Sequence, residues 1–132
     1  MGVGNDAVFQ AGSALAGGVA TMGESCGALT GAIMAIGTVV GRKRLEDVEQ
    51  YQKAKVPARE MYHLFRERVG HSICEEIHKI KYGRVYHLSI PEEAHDFHEM
   101  GGHSRTGCPE VCGIAARGAA EIILRLRDNV QE

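Results

Sequence analysis

The stretch Cys26-Gly-Ala-Leu-Thr-Gly-Ala-Ile-Met-Ala-Ile-Gly-Thr-Val-Val40, closed by Gly41, decides the fold class. It contains no charged residue, and Ala28, Leu29, Ala32, Ile33, Met34, Ala35, Ile36, Val39 and Val40 fall nearly all round a 3.6-residue helix. A helix without a polar face is expected to be the buried central member of a bundle. Gly27, Gly31 and Gly37 each cost about 1 kcal/mol of helix propensity against alanine. Close approach of neighbouring helices, or a cofactor, is expected to compensate.

Working outward, Asp6 to Ala16 reads as a short helix capped by Asn5 or Asp6, ended or bent by Gly17-Gly18. A Gly-rich turn then leads to Ser25. On the other side, Leu45 to Val69 is amphipathic, with Val48, Tyr51, Met61, Leu64, Phe65 and Val69 as candidate buried positions. Pro57 is expected to break or kink it, and Gly70 ends it. Ser72-Ile-Cys-Glu75 has the form of a capping box opening a short helix to Lys81. From Tyr82 to Gly107 no period is sustained. Val85 to Ile90 suggests a short extended piece and Pro91 to Met100 a short helix, within a long loop of the kind that is often functional. Gly107-Cys-Pro-Glu110 starts the last helix, which should run to Asn129 with Pro109 in its first turn. The expected fold is all-α, a small helical bundle of about five helices with Cys26 to Val40 central, forming one domain over residues 1–132.

Composition narrows the function classes. A net charge of -2 does not suit a general nucleic-acid binder, which needs a basic surplus against phosphates. No run of 18 or more apolar residues marks a membrane span, and Met1 to Phe9 shows no charged region before an apolar run, so no secretory leader is visible. The expected compartment is cytoplasmic. A chain of 132 residues needs neither disulfide nor metal merely to fold. Its four cysteines are therefore read as metal-binding or redox-active.

Three predicted helices begin with a cysteine: Cys26 after the Gly-rich turn, Cys74 after Ser72, and Cys108 beside Pro109. Cys112 follows Cys108 by one turn on the same face. A helix N-terminus carries partial positive charge and unpaired N–H groups, which favour thiolate over thiol. Thiolates attack disulfides, bind metals and hold iron–sulfur clusters. The plainer alternative is that free cysteines act as small buried hydrophobes. No C-x-x-C is present, so neither thioredoxin-like chemistry nor a zinc ribbon is signalled. Of seven histidines, His103 lies nearest Cys108 in a glycine-flanked segment, where it suits metal or haem ligation or proton transfer. His95 and His98 share a face if their segment is helical, and His63 and His71 flank the Cys74 region.

The segment Gly23-Glu-Ser-Cys26-Gly-Ala-Leu-Thr-Gly31-Ala32, with the apolar helix continuing from Ile33 to Gly37, resembles the signature of the redox-active proteins labelled C_GCAxxG_C_C. Phe65 to Gly70 leading to Cys74, and Cys108 opening a C-terminal helix, fit the same pattern. The resemblance implies a small helical module, found alone or attached to other redox domains, with a related module in the split-Soret cytochromes that combine haem with an iron–sulfur centre. It implies electron transfer or thiol redox chemistry. Two departures stand out. No cysteine precedes Cys26, where the family label writes one, and Cys112 is additional. The residues also read Cys-Gly-Ala rather than Gly-Cys-Ala.

The leading expectation is that Cys26, Cys74, Cys108 and Cys112 bind one iron–sulfur cluster of the [2Fe–2S] type, with His103 a further cofactor-binding residue, in an electron carrier served by a redox partner protein. One alternative is metal-free thiol–disulfide chemistry, with Cys26 attacking and Cys74 or the C-terminal pair resolving. Another is structural zinc or a packing role in an oligomer. The apolar helix and the small-residue N-terminal segment suit a homodimer.

Overall fold

The computed structural model describes residue 2 and residues 4–128, and among these it is all-α. Six α-helices follow in order: α1 (Asp6–Gly12), α2 (Gly27–Val40), α3 (Val48–Val69), α4 (Cys74–Tyr82), α5 (Pro91–Glu99) and α6 (Cys108–Asp128). A 3-10 turn, Ser13–Leu15, extends α1. Asn129, the expected end of the last helix, lies outside the described residues.

Helix α2 is central, as its composition requires: it packs on α6 and α3 and also touches α1. The core is built from Leu29, Ala32 and Ile36 of α2, Met61 and Phe65 of α3, Ile77 of α4, and Val111, Ala115, Ala119, Ile122 and Ile123 of α6. Only one face of α2 is fully buried, however, and Gly31, Gly37 and Thr38 are exposed. Of the three helix glycines expected to permit close packing, only Gly27 does so, since a Cβ there would lie 2.5 Å from the Leu15 carbonyl oxygen. Gly31 and Gly37 face open space. The glycine that lets two long helices approach is instead Gly118, where a Cβ would lie 2.8 Å from Leu64 and 3.1 Å from Met61.

Pro57 does not break α3, which continues through it as one helix of 22 residues. Proline removes a single hydrogen bond, to the carbonyl of Lys53. Pro57, Met61 and Phe65 recur at four-residue spacing and are all buried. Burial of such side chains contributes about 1.5–3 kcal/mol each, enough to offset proline's cost of about 3 kcal/mol. Val48 and Tyr51, expected inside, are exposed: they lie in the first turn of α3, whose buried residues, Pro57, Met61 and Phe65, all fall further along the helix. Val85 to Ile90 forms no strand; a turn there is held by the Ile90 N–H on the His87 carbonyl and by His87 on Glu93.

Candidate functional site

The Gly-rich turn before α2 is wound in the left-handed sense. Gly17, Gly18, Val19, Ala20 and Thr21 have φ of 65°, 75°, 60°, 52° and 64°. For the non-glycine residues this costs about 1–2 kcal/mol each, and such backbone persists only where its surroundings over-determine it. The surroundings are a set of backbone hydrogen bonds. Within the turn, Gly23 and Glu24 donate their N–H groups to the carbonyls of Gly17 and Gly18. Glu24 and Gly23 in turn accept the N–H groups of Cys74 (2.7 Å) and Glu75 (3.0 Å), while Cys26 donates to the Ser72 carbonyl (2.9 Å). An isolated antiparallel bridge, Ser25 to Ile73, completes the seam. It holds the starts of α2 and α4 side by side, with Cys26 as the N-cap of α2 and Cys74 as the first residue of α4.

The expected capping box at Ser72 is therefore not formed. Ile73 is the N-cap of α4, and the Ser72 hydroxyl lies 3.4 Å from that of Tyr62. Carbonyls of the left-handed turn take the free N–H groups that a capping side chain would otherwise have satisfied.

The third thiol is placed by a different device. Residues 100–107 fold over the ring of Phe97, and a Cβ at Gly102 would run into that ring. Cys108 donates its N–H to the Gly102 carbonyl (2.9 Å), and Lys81 of α4 reaches Glu110 in the first turn of α6 (2.7 Å).

The outcome is one cavity of about 360 Å³ onto which all four cysteines open. Leu15, Ile77, Leu88, Phe97 and Val111 supply its apolar wall, and His78 and His103 also line it. Cys74 is buried, Cys26 and Cys108 are half-buried, and Cys112 is exposed at the rim. All four are free thiols. Among the described residues, no three His, Cys, Asp or Glu side chains are grouped so as to hold a single metal ion. The sulfurs share a space rather than a point.

The electrostatics differ from the expectation of lowered thiol pKa values. Burial pushes Cys26, Cys74 and Cys108 up, Cys74 to about 12. Each is also raised by neighbouring cysteines: Cys26 and Cys108 raise Cys74, and Cys112 raises both Cys26 and Cys108. The N–H groups of Ala28 and Leu29 do favour the Cys26 thiolate, as a helix start should, but desolvation outweighs them. In the metal-free protein, stepwise alkylation at neutral pH is expected to label Cys112 first and Cys74 last, with Cys74 reacting readily only as the pH approaches 12. Mass spectrometry of the partly labelled protein checks this order, which early labelling of Cys74 would contradict.

Of the histidines singled out from sequence, only His103 lines the cavity. Its Nδ1 lies 3.2 Å from Nδ1 of His98, and its ring meets Phe97 edge-on. His95 and His63 are exposed, and His71 accepts the Ile73 N–H at 3.1 Å. Two residues that the sequence reading passed over stand against the thiols. Nε2 of His78 lies 3.7 Å from the Cys74 sulfur, and the Tyr82 hydroxyl donates to the Cys108 sulfur at 3.8 Å. Their signal was present in the spacing: Cys74, His78 and Tyr82 recur every four residues along one face of α4.

The chain matches, over residues 1–122, the model of the family described as "Putative redox-active protein (C_GCAxxG_C_C)". No curated protein and no solved structure matches it. With the family's cysteines gathered around one cavity and the match spanning nearly the whole sequence, this chain belongs to the redox-active C_GCAxxG_C_C family.

Proposed function

We propose that this protein transfers electrons by way of one iron–sulfur cluster, of the [2Fe–2S] type, held by Cys26, Cys74, Cys108 and Cys112. The observation that carries the reading is that four cysteines from three helices line a single cavity. Four thiolates are the complement such a cluster takes. A mononuclear ion needs its ligands around one point, whereas a two-iron core is met by two pairs. Here the seam supplies Cys26 with Cys74, and α6 supplies Cys108 with Cys112. Cys112 supplies the fourth thiol from α6.

The raised thiol pKa values fit the same reading. Buried thiols that repel one another's charge are poor nucleophiles when free, while a bound cation deprotonates them outright. When bound, the cluster supplies a one-electron couple. The apolar wall of Leu15, Ile77, Phe97 and Val111 keeps water from the sulfurs, and Cys112 places one ligand at the surface, where a partner protein can exchange the electron. Among the described residues no helix is long and apolar enough to cross a membrane, and we read the protein as cytoplasmic. The half-exposed small-residue face of α2 beside α6 suits a homodimer.

A specific observation keeps a second reading in view. Cys26 receives helix N–H groups and has three cysteines near it, as an attacking thiol in disulfide exchange would. Closing a disulfide releases two electrons and two protons to an external oxidant. Anaerobic purification with iron and sulfide analysis decides between the two. The expected protein is coloured, holds iron, and loses both on Cys26→Ser. A colourless, metal-free protein whose free-thiol count falls by two on oxidation would establish the disulfide reading instead, and stoichiometric zinc without visible absorbance would establish a structural role.

A further inference from the structure

His78 is almost wholly buried, at 1% exposure. Its ring stacks on Phe97 with centroids 4.9 Å apart and planes inclined by 21°. Tyr82 and Tyr86 meet it edge-on. These contacts fix the ring plane, and one hydrogen bond fixes the proton. The backbone N–H of Tyr86 points to Nδ1 at 3.4 Å, so Nδ1 is the acceptor. In a neutral imidazole the hydrogen must then sit on Nε2. Nδ1 accepts that hydrogen bond only when it carries no proton of its own, so the same contact calls for the neutral ring. Nε2–H faces the Cys74 sulfur at 3.7 Å, within the longer reach that sulfur acceptors allow. One turn further along α4, the Tyr82 O–H faces the Cys108 sulfur at 3.8 Å. Two of the four thiols thus each have a donor aimed at them from the same helix face.

We infer that His78 and Tyr82 are positioning residues whose Nε2–H and O–H groups donate to the sulfurs of Cys74 and Cys108 and raise the reduction potential of the site. The effect on potential rests on the cluster reading above. The hydrogen bonds themselves rest only on the geometry of α4. Donors to sulfur stabilise the reduced, more negative form, and hydrogen bonding to the sulfurs is a known lever on cluster potentials. Tyr82 also meets His78 and Phe97 edge-on, at 5.6 and 5.4 Å. Removing its hydroxyl alone therefore leaves the ring packing in place.

The test uses His78→Phe, which keeps an aromatic ring on Phe97, Tyr82→Phe, and the double variant. Each should retain iron and visible absorbance. Each single variant is expected to shift the reduction equilibrium against the reduced form by about tenfold, a fall of about 59 mV for a one-electron couple. The double variant should fall further, and His78→Gln, which restores an N–H donor, should recover part of the loss. Unchanged potentials in iron-loaded variants overturn the inference. Nitrogen NMR of labelled histidine in the unsubstituted, metal-free protein supplies an independent reading. An Nε2-protonated ring at His78 supports the donor assignment, and a ring protonated at Nδ1 alone overturns it. Should the protein bind no iron at all, the cluster reading fails, and the tautomer alone decides whether His78 is a donor.

Discussion

Gly18→Ala is expected to destabilise the protein by about 3 kcal/mol or more and to abolish the redox site with it. Two costs combine there. Gly18 has φ of 75°, in the left-handed region, where a side chain costs about 1–2 kcal/mol. A Cβ at Gly18 would also lie 2.6 Å from the Cβ of Cys74 and 2.6 Å from the Glu24 nitrogen. Neither can yield cheaply, since both belong to the seam that joins the starts of α2 and α4. Gly83 provides the control. It has the same φ of 75° with nothing within 4 Å of its would-be Cβ. Gly83→Ala should carry only the conformational cost. Denaturant unfolding of the two variants isolates the contact energy, and equal losses would show that the left-handed turn is not pressed against Cys74.

Phe97→Ala is expected to cost about 3–5 kcal/mol, the usual range for emptying a buried aromatic site. Phe97 is 1% exposed and meets the rings of His78, Tyr82, Tyr86 and His103. The carbonyl of Phe97 accepts the Gly102 N–H, and its ring fills the space that a Gly102 side chain would need. Its loss would free the 100–107 loop that holds Cys108 and the ring that orients His78. Phe65→Ala offers the comparison. Phe65 is equally buried, in the core between α2, α3 and α6, and does not line the cavity. Both variants should lose similar stability by denaturant unfolding. At temperatures where both remain folded, only Phe97→Ala should lose cofactor binding. Equal retention of iron in the two would remove Phe97 from the architecture of the site.

The helices were legible because their signals are local. The charge-free run from Cys26 to Val40, the small first helix after Asn5, Pro91 and Pro109 in first turns, and Gly70 as a stop each act within a few residues. Pro57 was misread for the complementary reason: its local cost is real, but the burial of Met61 and Phe65 that overrides it is set by α2 and α6. The cysteines at helix starts were visible as well, and so was their four-residue relation to His78 and Tyr82, had α4 been followed along its face.

What the linear chain by itself determined is an all-α protein with four cysteines at or near the starts of three helices. Only the tertiary structure decided that those helix starts meet at one cavity, that burial rather than the helix N-terminus governs the thiol protons, and that His78 and Tyr82 are the groups facing the sulfurs. The physical reason lies in range. Helix formation follows from propensity and pattern over a few residues, whereas desolvation and hydrogen-bond partnership depend on segments far apart in sequence, here residues 23–26 against 72–75 and Tyr82 against Cys108.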